Sequence, residues 1–319
     1  MGSEIKLSWL MSDKDWDSYL KSTEGPISLC IGNFDGVHLG HQELIRHSVA
    51  WAQKHKGVSA ILTFDPHPQS LLHPEKRHSR LFDWSDLRER VSGLGVSAVF
   101  IQAFSRDFSE KNPLDFFQHL IVQKIKPKHI VVGFDFYFGK GRSGNIELLK
   151  KYGEEFGIKV EVVPAVQVLN EKVSTSKIRE ALLSGDLRKV ESFLDRSYYI
   201  KGIVVKGDQR GRMLGFPTAN VHPSVDFFPR LGVYVTQTHY LGEVRRSVTN
   251  VGSNRTFKEG DMHPIKVETH ILDVNPDLYG HEIKVDLLTW LRDEKKFSNI
   301  DELKKQIAID SLLAKEWQK

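Results

Sequence analysis

Two histidines three residues apart, His38 and His41, lie in the stretch "GNFDGVHLGHQ" (residues 32 to 42), directly after the apolar run "ISLCI". A short apolar run is typical of a strand buried on both faces, and the residues after the histidines have helical spacing. The pattern therefore places the pair at a strand-to-helix turn, where a helix N-terminus offers N–H groups to phosphate. There the imidazoles could stabilise charge that develops during phosphoryl or nucleotidyl transfer, and a bound triphosphate would raise the pKa of both rings.

Spacing alone leaves three interpretations of this pair open. The histidines could bind phosphate, with Gly40 allowing the backbone to approach the ligand closely. They could instead be two solvated surface side chains. A zinc site is the third interpretation, and no cysteine or glutamate-rich ligand set accompanies the pair to favour it.

A second stretch, "VSTSKIREALLSGD" (residues 173 to 186), also combines polar side chains with a predicted helix start. Ser174, Thr175 and Ser176 are residue types that cap helices. We expect Lys177 and Arg179 in the first turn, where cations oppose the helix dipole, and Arg179 occupies the position three after Ser176 where a capping box has Glu or Gln. A bound anion would remove this conflict, so the pattern favours phosphate binding over a plain cap.

The elements that would position these residues alternate between strand and helix from residue 27 to about 185. The predicted strands are "ISLCIGNF", "VSAILTF", "SAVFIQAF", "HIVVGF" and "KVEVVP". Between them, Asn112 and Pro113 mark the start of one helix, and "GNIELLKKYGEEF" is another amphipathic helix. This alternation predicts an α/β unit with a parallel sheet.

After about residue 186 the alternation stops, and strands punctuated by Gly, Asn and Pro predict an antiparallel barrel or sandwich. A terminal helix follows, with Ser298 and Asp301 in capping-box spacing and Leu303, Ile307 and Trp317 available to pack on the strands. The predicted fold class is thus α/β plus β, with one domain over residues 1–186 and a second over residues 187–319.

Composition restricts the class of protein further. The chain has 319 residues, 40% of them hydrophobic and 27% charged, which is ordinary for a globular protein with two cores. The net charge of +4 comes without a basic run, so neither nucleic acid nor a membrane surface is an expected partner. Cys30, the single cysteine, is expected to be a buried packing residue. No membrane span or signal peptide is apparent, which predicts a cytoplasmic protein.

At this point the motifs resemble a known family. "GNFDGVHLGH" with "VSTSKIR" resembles the paired motifs of the nucleotidyltransferase superfamily, and "TFDPHP" with "VVGFDFYFGKGRSG" resembles its FAD synthetase branch. The second half resembles the riboflavin kinase module through "GRMLGFPTANV", "GVYV", "VETHILD", "DLYG" and "LRDEKKF". The order is that of the bacterial bifunctional riboflavin kinase/FMN adenylyltransferases. The resemblance implies a Rossmann-like nucleotidyltransferase domain followed by a riboflavin-kinase-type barrel.

For the first half, the resemblance implies that ATP reacts with FMN to give FAD and pyrophosphate, with Mg²⁺ as the metal. His38, His41 and Arg179 would be catalytic, with the nucleotide phosphates between the two histidines and the Ser174 to Arg179 segment. The resemblance also implies that Phe64, Asp135 and Arg142 contact the flavin. For each of these residues, the alternative role is plain packing or a loop salt bridge. The implied nucleotide-binding residues of this half are Gly32, Phe34, Gly40, Ser174, Thr175 and Ser176.

For the second half, the resemblance implies phosphorylation of riboflavin to FMN by ATP. Thr218 and Asn220 project to one side of an extended run and offer two neutral oxygens to Mg²⁺, although a tight turn before an edge strand would use similar residues. Glu268 is the candidate base for the ribityl 5′-hydroxyl group, with a half-exposed strand glutamate as the alternative. Phosphate contacts are expected from Lys206, Gly211, Arg212 and Gly215, unless the cations are simply solvated.

Two other functions compete with the bifunctional enzyme. In one, only the adenylyltransferase is active and the barrel is a flavin-binding or regulatory module, but the presence of Thr218, Asn220 and Glu268 argues against an inactive barrel. In the other, the barrel binds nucleic acid or protein, which would require a basic stripe with exposed aromatics that the scattered charge does not supply. We expect riboflavin, FMN and ATP as partners, and a monomer or weak homo-oligomer.

Overall fold

The computed structural model describes residues 7–75, 79–207, 211, 215–253 and 265–318. The chain divides into two compact units, Met1–Val173 and Ser174–Lys319. The first unit is an α/β sheet with helices, and the second is a β-barrel with helices, so both parts of the predicted fold class are confirmed.

The first unit contains a six-stranded sheet in the order β1-β4-β3-β2-β5-β6, and every neighbouring pair is parallel. Its strands are β1 (Ser8–Leu10), β2 (Ile27–Ile31), β3 (Val58–Asp65), β4 (Ala98–Ala103), β5 (His129–Gly133) and β6 (Lys159–Val163). The five strands expected from apolar runs are all present. Strand β1 was not predicted, because three residues are too short for a recognisable periodicity.

Helices connect these strands. They are α1 (Asp13–Ser22), α2 (Leu39–Lys54), α3 (Pro68–Leu72), α4 (Trp84–Gly93), α5 (Arg106–Ser109), α6 (Pro113–Asp115), a π-helix (Phe116–Ile125) and α7 (Ile146–Glu155), with a 3₁₀ turn at Lys140–Arg142 and a hairpin of β7 (Gln167–Val168) and β8 (Glu171–Lys172). Asn112 caps α6 and Pro113 is its first residue, as predicted. The helix then continues with π rather than α hydrogen bonding.

The core of the first unit lies on both faces of the sheet. Leu29 and Ile31 pack on one face with Phe100, while Cys30 packs on the other face. All four side chains are at most 1% exposed, and burying an aliphatic side chain this fully contributes roughly 1.5–3 kcal/mol. Burial also raises the pKa of the Cys30 thiol, which confirms the predicted packing role of this cysteine.

The second unit begins with α8 (Thr175–Ser184) and α9 (Leu187–Leu194) and continues into a closed antiparallel barrel. Around the barrel the strands are β10 (Ala219–Pro223), β13 (Ile265–Ile271), β12 (Glu243–Ser253), β11 (Gly232–Tyr240), β14 (Glu282–Arg292) and β9 (Tyr199–Val205). The sequence was compatible with either a barrel or a sandwich. The closed ring of strands shows that the second unit is a barrel.

The terminal helix α10 (Ile300–Glu316) is present, but its predicted cap is wrong by one residue. Asn299, not Ser298, is the cap, and its side chain accepts a hydrogen bond from the Glu302 N–H group at 2.9 Å. Ala314 and Trp317 pack on the barrel, whereas Leu303 and Ile307 are only partly buried. None of the helices in the described ranges is both long and apolar enough to cross a membrane.

Candidate functional site

His38 caps helix α2 with its own side chain. Its Nδ1 atom accepts a hydrogen bond from the backbone N–H group of His41 at 3.3 Å, and the residue is 6% exposed. A nitrogen that accepts a hydrogen bond carries no proton, so a neutral His38 ring has its proton on Nε2. The cap therefore leaves His38 with one defined donor.

The ring of His41 stacks on that of His38, with centroids 3.7 Å apart and planes 14° apart. Among the residues that the structure describes, the buried Nδ1 atom of His41 has no hydrogen-bond partner. Burial of the ring, and then the nearby His38, hold the pKa of His41 well below its ordinary value. The ring is therefore neutral near pH 7, and the expected rise of its pKa on binding a triphosphate stays a prediction. Buried polar atoms usually have partners, so the orphaned nitrogen indicates a ligand.

The turn before α2 is strained where it presents these histidines. Phe34 and Val37 have φ values of 50° and 38°, and Gly36 has 82°. A positive φ is uncommon outside glycine and is a genuine outlier for a β-branched residue, at a cost of about 1–3 kcal/mol. The Val37 carbonyl accepts a hydrogen bond from Gln42 Nε2 at 3.1 Å, which helps to hold this conformation. Strain of this kind is found preferentially at functional turns.

Gly32, Phe34 and Gly40 lie in or beside this turn and support the histidines. A Cβ atom on Gly40 would come within 3.1–3.2 Å of the His38 ring, and one on Gly32 within 3.3 Å of the Phe34 ring. Phe34 is itself buried, with its ring 5.2 Å from that of His41. These positions give all three residues a packing role, while their predicted contacts with the nucleotide stay a prediction.

Helix α8 begins as expected at the Ser/Thr cluster, with one correction. Ser174 is the cap and its Oγ accepts from the Lys177 N–H group at 3.4 Å, so Lys177 holds the position where a capping box has Glu or Gln. Arg179 is the fifth helical residue rather than part of the first turn, and its guanidinium lies 4.7 Å from the centre of the Phe227 ring. The first turn still has no acidic residue, so an anion remains favourable there.

Phe64 lies at the carboxyl end of β3 in an aromatic cluster that the sequence did not reveal. Its ring centroid lies 5.9 Å from that of Phe104 and 6.1 Å from that of Phe108. Phe116 and Phe138 extend the cluster. The half-buried Phe64 ring sits where parallel sheets bind ligands.

Asp135 and Arg142 lie in the loop after β5, each with a partner. Asp135 Oδ2 accepts from Lys172 Nζ at 2.6 Å, and the Arg142 guanidinium lies 4.5 Å from the centre of the Tyr137 ring. Both residues are accessible, and a surface ion pair of this kind contributes at most about 1 kcal/mol, so a ligand could replace either partner.

Arg80 lies near the charges of Asp35 and Asp65, a polar group that motif spacing did not predict. The Arg80 side chain donates to the Phe64 carbonyl at 3.2 Å and lies 3.7 Å from the centre of the Trp84 ring. Burial lowers the pKa of Arg80 even though the charges of Asp35 and Asp65 act to raise it. Asp35 is buried and accepts from the Leu81 N–H group at 2.8 Å. Asp35 stands in the quoted motif, but nothing in the sequence indicates that Arg80, 45 positions later, would join it.

In the barrel, strand register brings together two of the predicted kinase residues. Asn220 on β10 pairs directly with Glu268 on β13, which in turn pairs with Asn250 on β12. Directly paired residues of antiparallel strands project to the same side, with Cβ atoms about 5 Å apart. The amide and the carboxylate thus face one region of space, although 48 positions separate them in the chain.

Thr218 precedes β10 and lines a cavity of about 200 Å³ together with Asn220, Thr269, Asp277 and Tyr279. Glycines make room here, because a Cβ atom on Gly207 would overlap the Asn220 amide and one on Gly211 would lie 3.2 Å from Thr218 Oγ1. Lys206 is exposed directly after β9, and Gly215 has a φ of 86° that favours glycine. Arg212 lies outside the described residues.

The oxygen donors of this cavity fit Mg²⁺, which takes few protein ligands and completes its shell with phosphate and water. Thr218 and Asn220 supply two neutral oxygens to the cavity, whereas Glu268 is the register partner of Asn220 and does not itself line the cavity. Within the described ranges, no group of three or more His, Cys, Asp or Glu side chains could hold a metal ion.

Comparisons with known proteins match a different family model to each half of the chain. The FAD synthetase family model matches residues 20–177, and the riboflavin kinase model matches residues 194–318. The bifunctional riboflavin kinase/FMN adenylyltransferase of Escherichia coli K12 is 37% identical over 91% of this chain and 92% of its own length. The namesakes from Listeria monocytogenes and Bacillus subtilis are 35% and 34% identical, over 88% and 91% of this chain and 89% and 92% of their own.

A crystal structure from Streptococcus pneumoniae is also similar over nearly its whole length. It matches with a TM-score of 0.84 and 30% identity, covering 97% of this chain and 99% of that one. That protein is described as a macrolide-efflux protein, a function we do not carry over. The likeness supports the fold of both units.

Proposed function

The chain belongs to the family of bifunctional riboflavin kinase/FMN adenylyltransferases, and from this premise we propose which of its residues carry out each reaction. It phosphorylates riboflavin to FMN and then adenylylates FMN to FAD, with ATP as the second substrate of both steps. The family matches favour this function over an adenylyltransferase with an inactive barrel.

For adenylyl transfer, we assign the stabilisation of phosphate charge to His38 and His41. A phosphate oxygen of FMN attacks the α-phosphorus of ATP; the new P–O bond forms as the bond to the β-bridging oxygen breaks, and pyrophosphate leaves with the electron pair. His38 donates from Nε2, the atom left protonated by its capping role. Neutral His41 is placed to donate to the same phosphates, and their negative charge raises its pKa as the oxygens gain charge.

The remaining residues of this half bind and orient. We assign the nucleotide phosphates to Ser174, Thr175, Ser176 and Arg179 on the resemblance of their motif. The flavin ring is assigned to Phe64, whose aromatic neighbours offer an apolar, polarisable wall, and to Asp135 and Arg142 at the accessible loop. Protein groups in such a reaction mainly align reactants and stabilise charge.

For riboflavin phosphorylation, we assign Glu268 as the acceptor of the ribityl 5′-hydroxyl proton. The hydroxyl oxygen attacks the γ-phosphorus of ATP, the O–H proton passes to the carboxylate, and ADP leaves. A carboxylate is a weak base for an alcohol, so the proton moves late, as the phosphoryl group transfers. The register partner Asn220 holds its amide beside this carboxylate.

Mg²⁺ is proposed at Thr218 and Asn220, where it would supply charge neutralisation to the transferring phosphate. Gly207 and Gly211 leave the space that these two side chains occupy. We assign the phosphates of ATP to Lys206, Gly211, Arg212 and Gly215. For Arg212 this assignment rests on the sequence alone.

Three broader properties are also proposals. We keep the domain boundary at residues 186/187, which falls between the end of one family match at residue 177 and the start of the other at residue 194, although the compact units themselves divide earlier, between Val173 and Ser174. We propose a monomer or weak homo-oligomer located in the cytoplasm. Sedimentation of the purified protein over a range of concentrations tests the oligomeric state.

One observation carries these assignments: each half retains its own reactive constellation, the stacked His38–His41 pair in one and the Asn220–Glu268 register pair in the other. Incubating the purified protein with riboflavin, ATP and Mg²⁺ and resolving the flavins by chromatography tests the function. Successive appearance of FMN and FAD is expected. A product mixture with neither FMN nor FAD would contradict the kinase assignment, and accumulation of FMN without FAD would contradict the adenylyltransferase assignment.

A further inference from the structure

A buried polar network connects the middle of the parallel sheet to helix α2. His129, at the start of β5, is fully buried; its Nδ1 lies 2.8 Å from Ser28 Oγ and its Nε2 lies 2.9 Å from Glu161 Oε2. Ser28 lies on β2 and Glu161 on β6, so this one imidazole links three strands. The Trp51 ring of α2 covers it in a stack with a centroid distance of 4.8 Å.

The hydrogen bonds of this network have a defined direction. Burial lowers the pKa of His129, against the opposing influence of Glu161, so the ring is neutral near pH 7. With an ionised Glu161 accepting from Nε2–H, the Nδ1 atom must accept, and Ser28 Oγ donates to it. Ser28 Oγ in turn accepts from Ser48 Oγ of α2 at 3.0 Å, and Ser48 also contacts Ser59 Oγ at 3.0 Å.

The network ties α2 to the sheet at a second point through His47. Its Nδ1 lies 2.5 Å from Glu161 Oε1, and its Nε2 lies 3.3 Å from Glu43 Oε1 on the same helix. Glu161 thus holds one histidine of the helix and one of the sheet. Burial acts to raise the pKa of Glu161, but the hydrogen bonds and charges of His47 and His129 outweigh it and hold the pKa below its ordinary value.

We propose that Ser28, Ser48, His47, His129 and Glu161 are positioning residues for FMN adenylyl transfer, which fix helix α2 on the sheet and thereby place His38 and His41. The inference rests on the proposed role of that pair. Ser48 is seven residues from His41, roughly 10 Å along a rigid helix. A misplacement of about 1 Å at a reacting group can cost on the order of 10² in rate, so a small slip of the helix is sufficient.

This network also makes the adenylyl branch sensitive to acid. Protonation of His129 on Nδ1 removes the acceptor for the Ser28 hydroxyl group and breaks the hydrogen-bonded link between the sheet and helix α2. The groups that face His129 are Glu161 and Lys159 on β6, Trp51 on α2, His55 directly after α2, and Ser28 on β2. Because Glu161 favours the imidazolium, its neutralisation lowers the pKa of His129 further and moves the acid limb of adenylyl transfer to lower pH.

Glu161→Gln in the full-length protein tests the proposal, since it keeps the size but removes the charge and replaces one of the two accepting oxygens with a donating NH2 group. The matched control is Asp286→Asn, which neutralises a similar pair in the barrel, His239 Nε2 to Asp286 Oδ2 at 2.6 Å. Riboflavin kinase activity of the same molecules reports on folding. We expect E161Q to lower kcat for FAD formation about tenfold with less than a twofold change in the KM for ATP, and to shift the acid limb to lower pH.

Ser28→Ala provides a second variant, because it deletes the hydroxyl between Ser48 and His129. It should lower FAD formation in the same way while D286N leaves it unchanged. Normal kcat and an unshifted pH profile in folded E161Q and S28A would overturn the positioning role. If His41→Ala leaves FAD formation intact, the proposed function of the histidine pair fails instead, so the two failures are distinguishable.

Discussion

The imidazole rings of His38 and His41 stack 3.7 Å apart because His38 accepts the backbone N–H of His41 and so folds back over the first turn of α2. This capping bond leaves Nε2 of His38 as a donor, and burial keeps His41 neutral until an anion arrives. In the proposed function, the pair is a preorganised donor site that needs no rearrangement when phosphate charge develops.

Replacing His41 with alanine should lower FAD formation by about 10² to 10³, the usual cost of removing one preorganised donor. FMN formation from riboflavin should stay within twofold, because the kinase motifs lie in the barrel unit. Initial rates of both half-reactions give the answer. A loss below about fivefold would leave His41 with a packing role only, and parallel losses in both activities would argue against separate sites.

Glu268→Gln should lower riboflavin phosphorylation by roughly 10² or more, within the range of a positioned general base. FMN supplied directly should still become FAD. Loss of a negative charge near bound ATP should also leave ATP affinity equal or slightly higher, which a misfolded barrel would not show. Rates, ATP affinity and the melting temperature are measured together; near-normal kinase turnover in a folded variant would identify Glu268 as a structural strand residue.

Gly207→Ala should weaken the metal site of the kinase, because the added Cβ atom would overlap the Asn220 amide. We expect kinase activity to fall at least tenfold and the Mg²⁺ concentration for half-maximal rate to rise, with adenylyl transfer unchanged. Gly93→Ala on helix α4 is the control, since its Cβ atom would meet nothing within 4 Å. An unaltered Mg²⁺ dependence in G207A would exclude Asn220 as a metal ligand.

Acid should destabilise the first unit through His41 and His129. Both have a pKa lowered mainly by burial, so below about pH 6.5, the ordinary value, the unfolded state binds more protons than the folded state. The free energy of unfolding should therefore fall as pH drops through this value, down to the folded-state pKa. Denaturant titrations between pH 7.5 and about 5 measure it, and His129→Gln should flatten the dependence. A stability that rises on acidification would contradict the lowered pKa of both rings.

The fold was predictable wherever apolar runs were long enough to show a hydrophobic periodicity. "ISLCI" predicts a strand buried on both faces, and Leu29, Cys30 and Ile31 are indeed almost fully buried. The π-helix after Pro113 could not be distinguished from an α-helix, because a short apolar segment fits both hydrogen-bonding patterns. The cap of α10 moved from Ser298 to Asn299 because either side chain can serve, and only backbone geometry selects one.

The candidate site was predictable where its residues are neighbours in sequence. His38 and His41 satisfy this condition, as do Thr218 and Asn220. Arg80 near Asp35, and Glu161 between His47 and His129, do not, because the three-dimensional fold rather than sequence spacing brings them together. No local pattern marks a lone arginine or glutamate as part of such a cluster.

The central claim is that two separate sets of residues perform the two reactions. Mixing two variants, each of which lacks one of the two activities, tests this claim most directly. His41→Ala should convert riboflavin only to FMN, and Glu268→Gln should convert only added FMN to FAD. Riboflavin, ATP and Mg²⁺ are given to each variant alone and to an equimolar mixture, and FAD is quantified by chromatography. The account predicts FAD from the mixture and almost none from either variant alone. A mixture of two folded variants that still makes no FAD would contradict it.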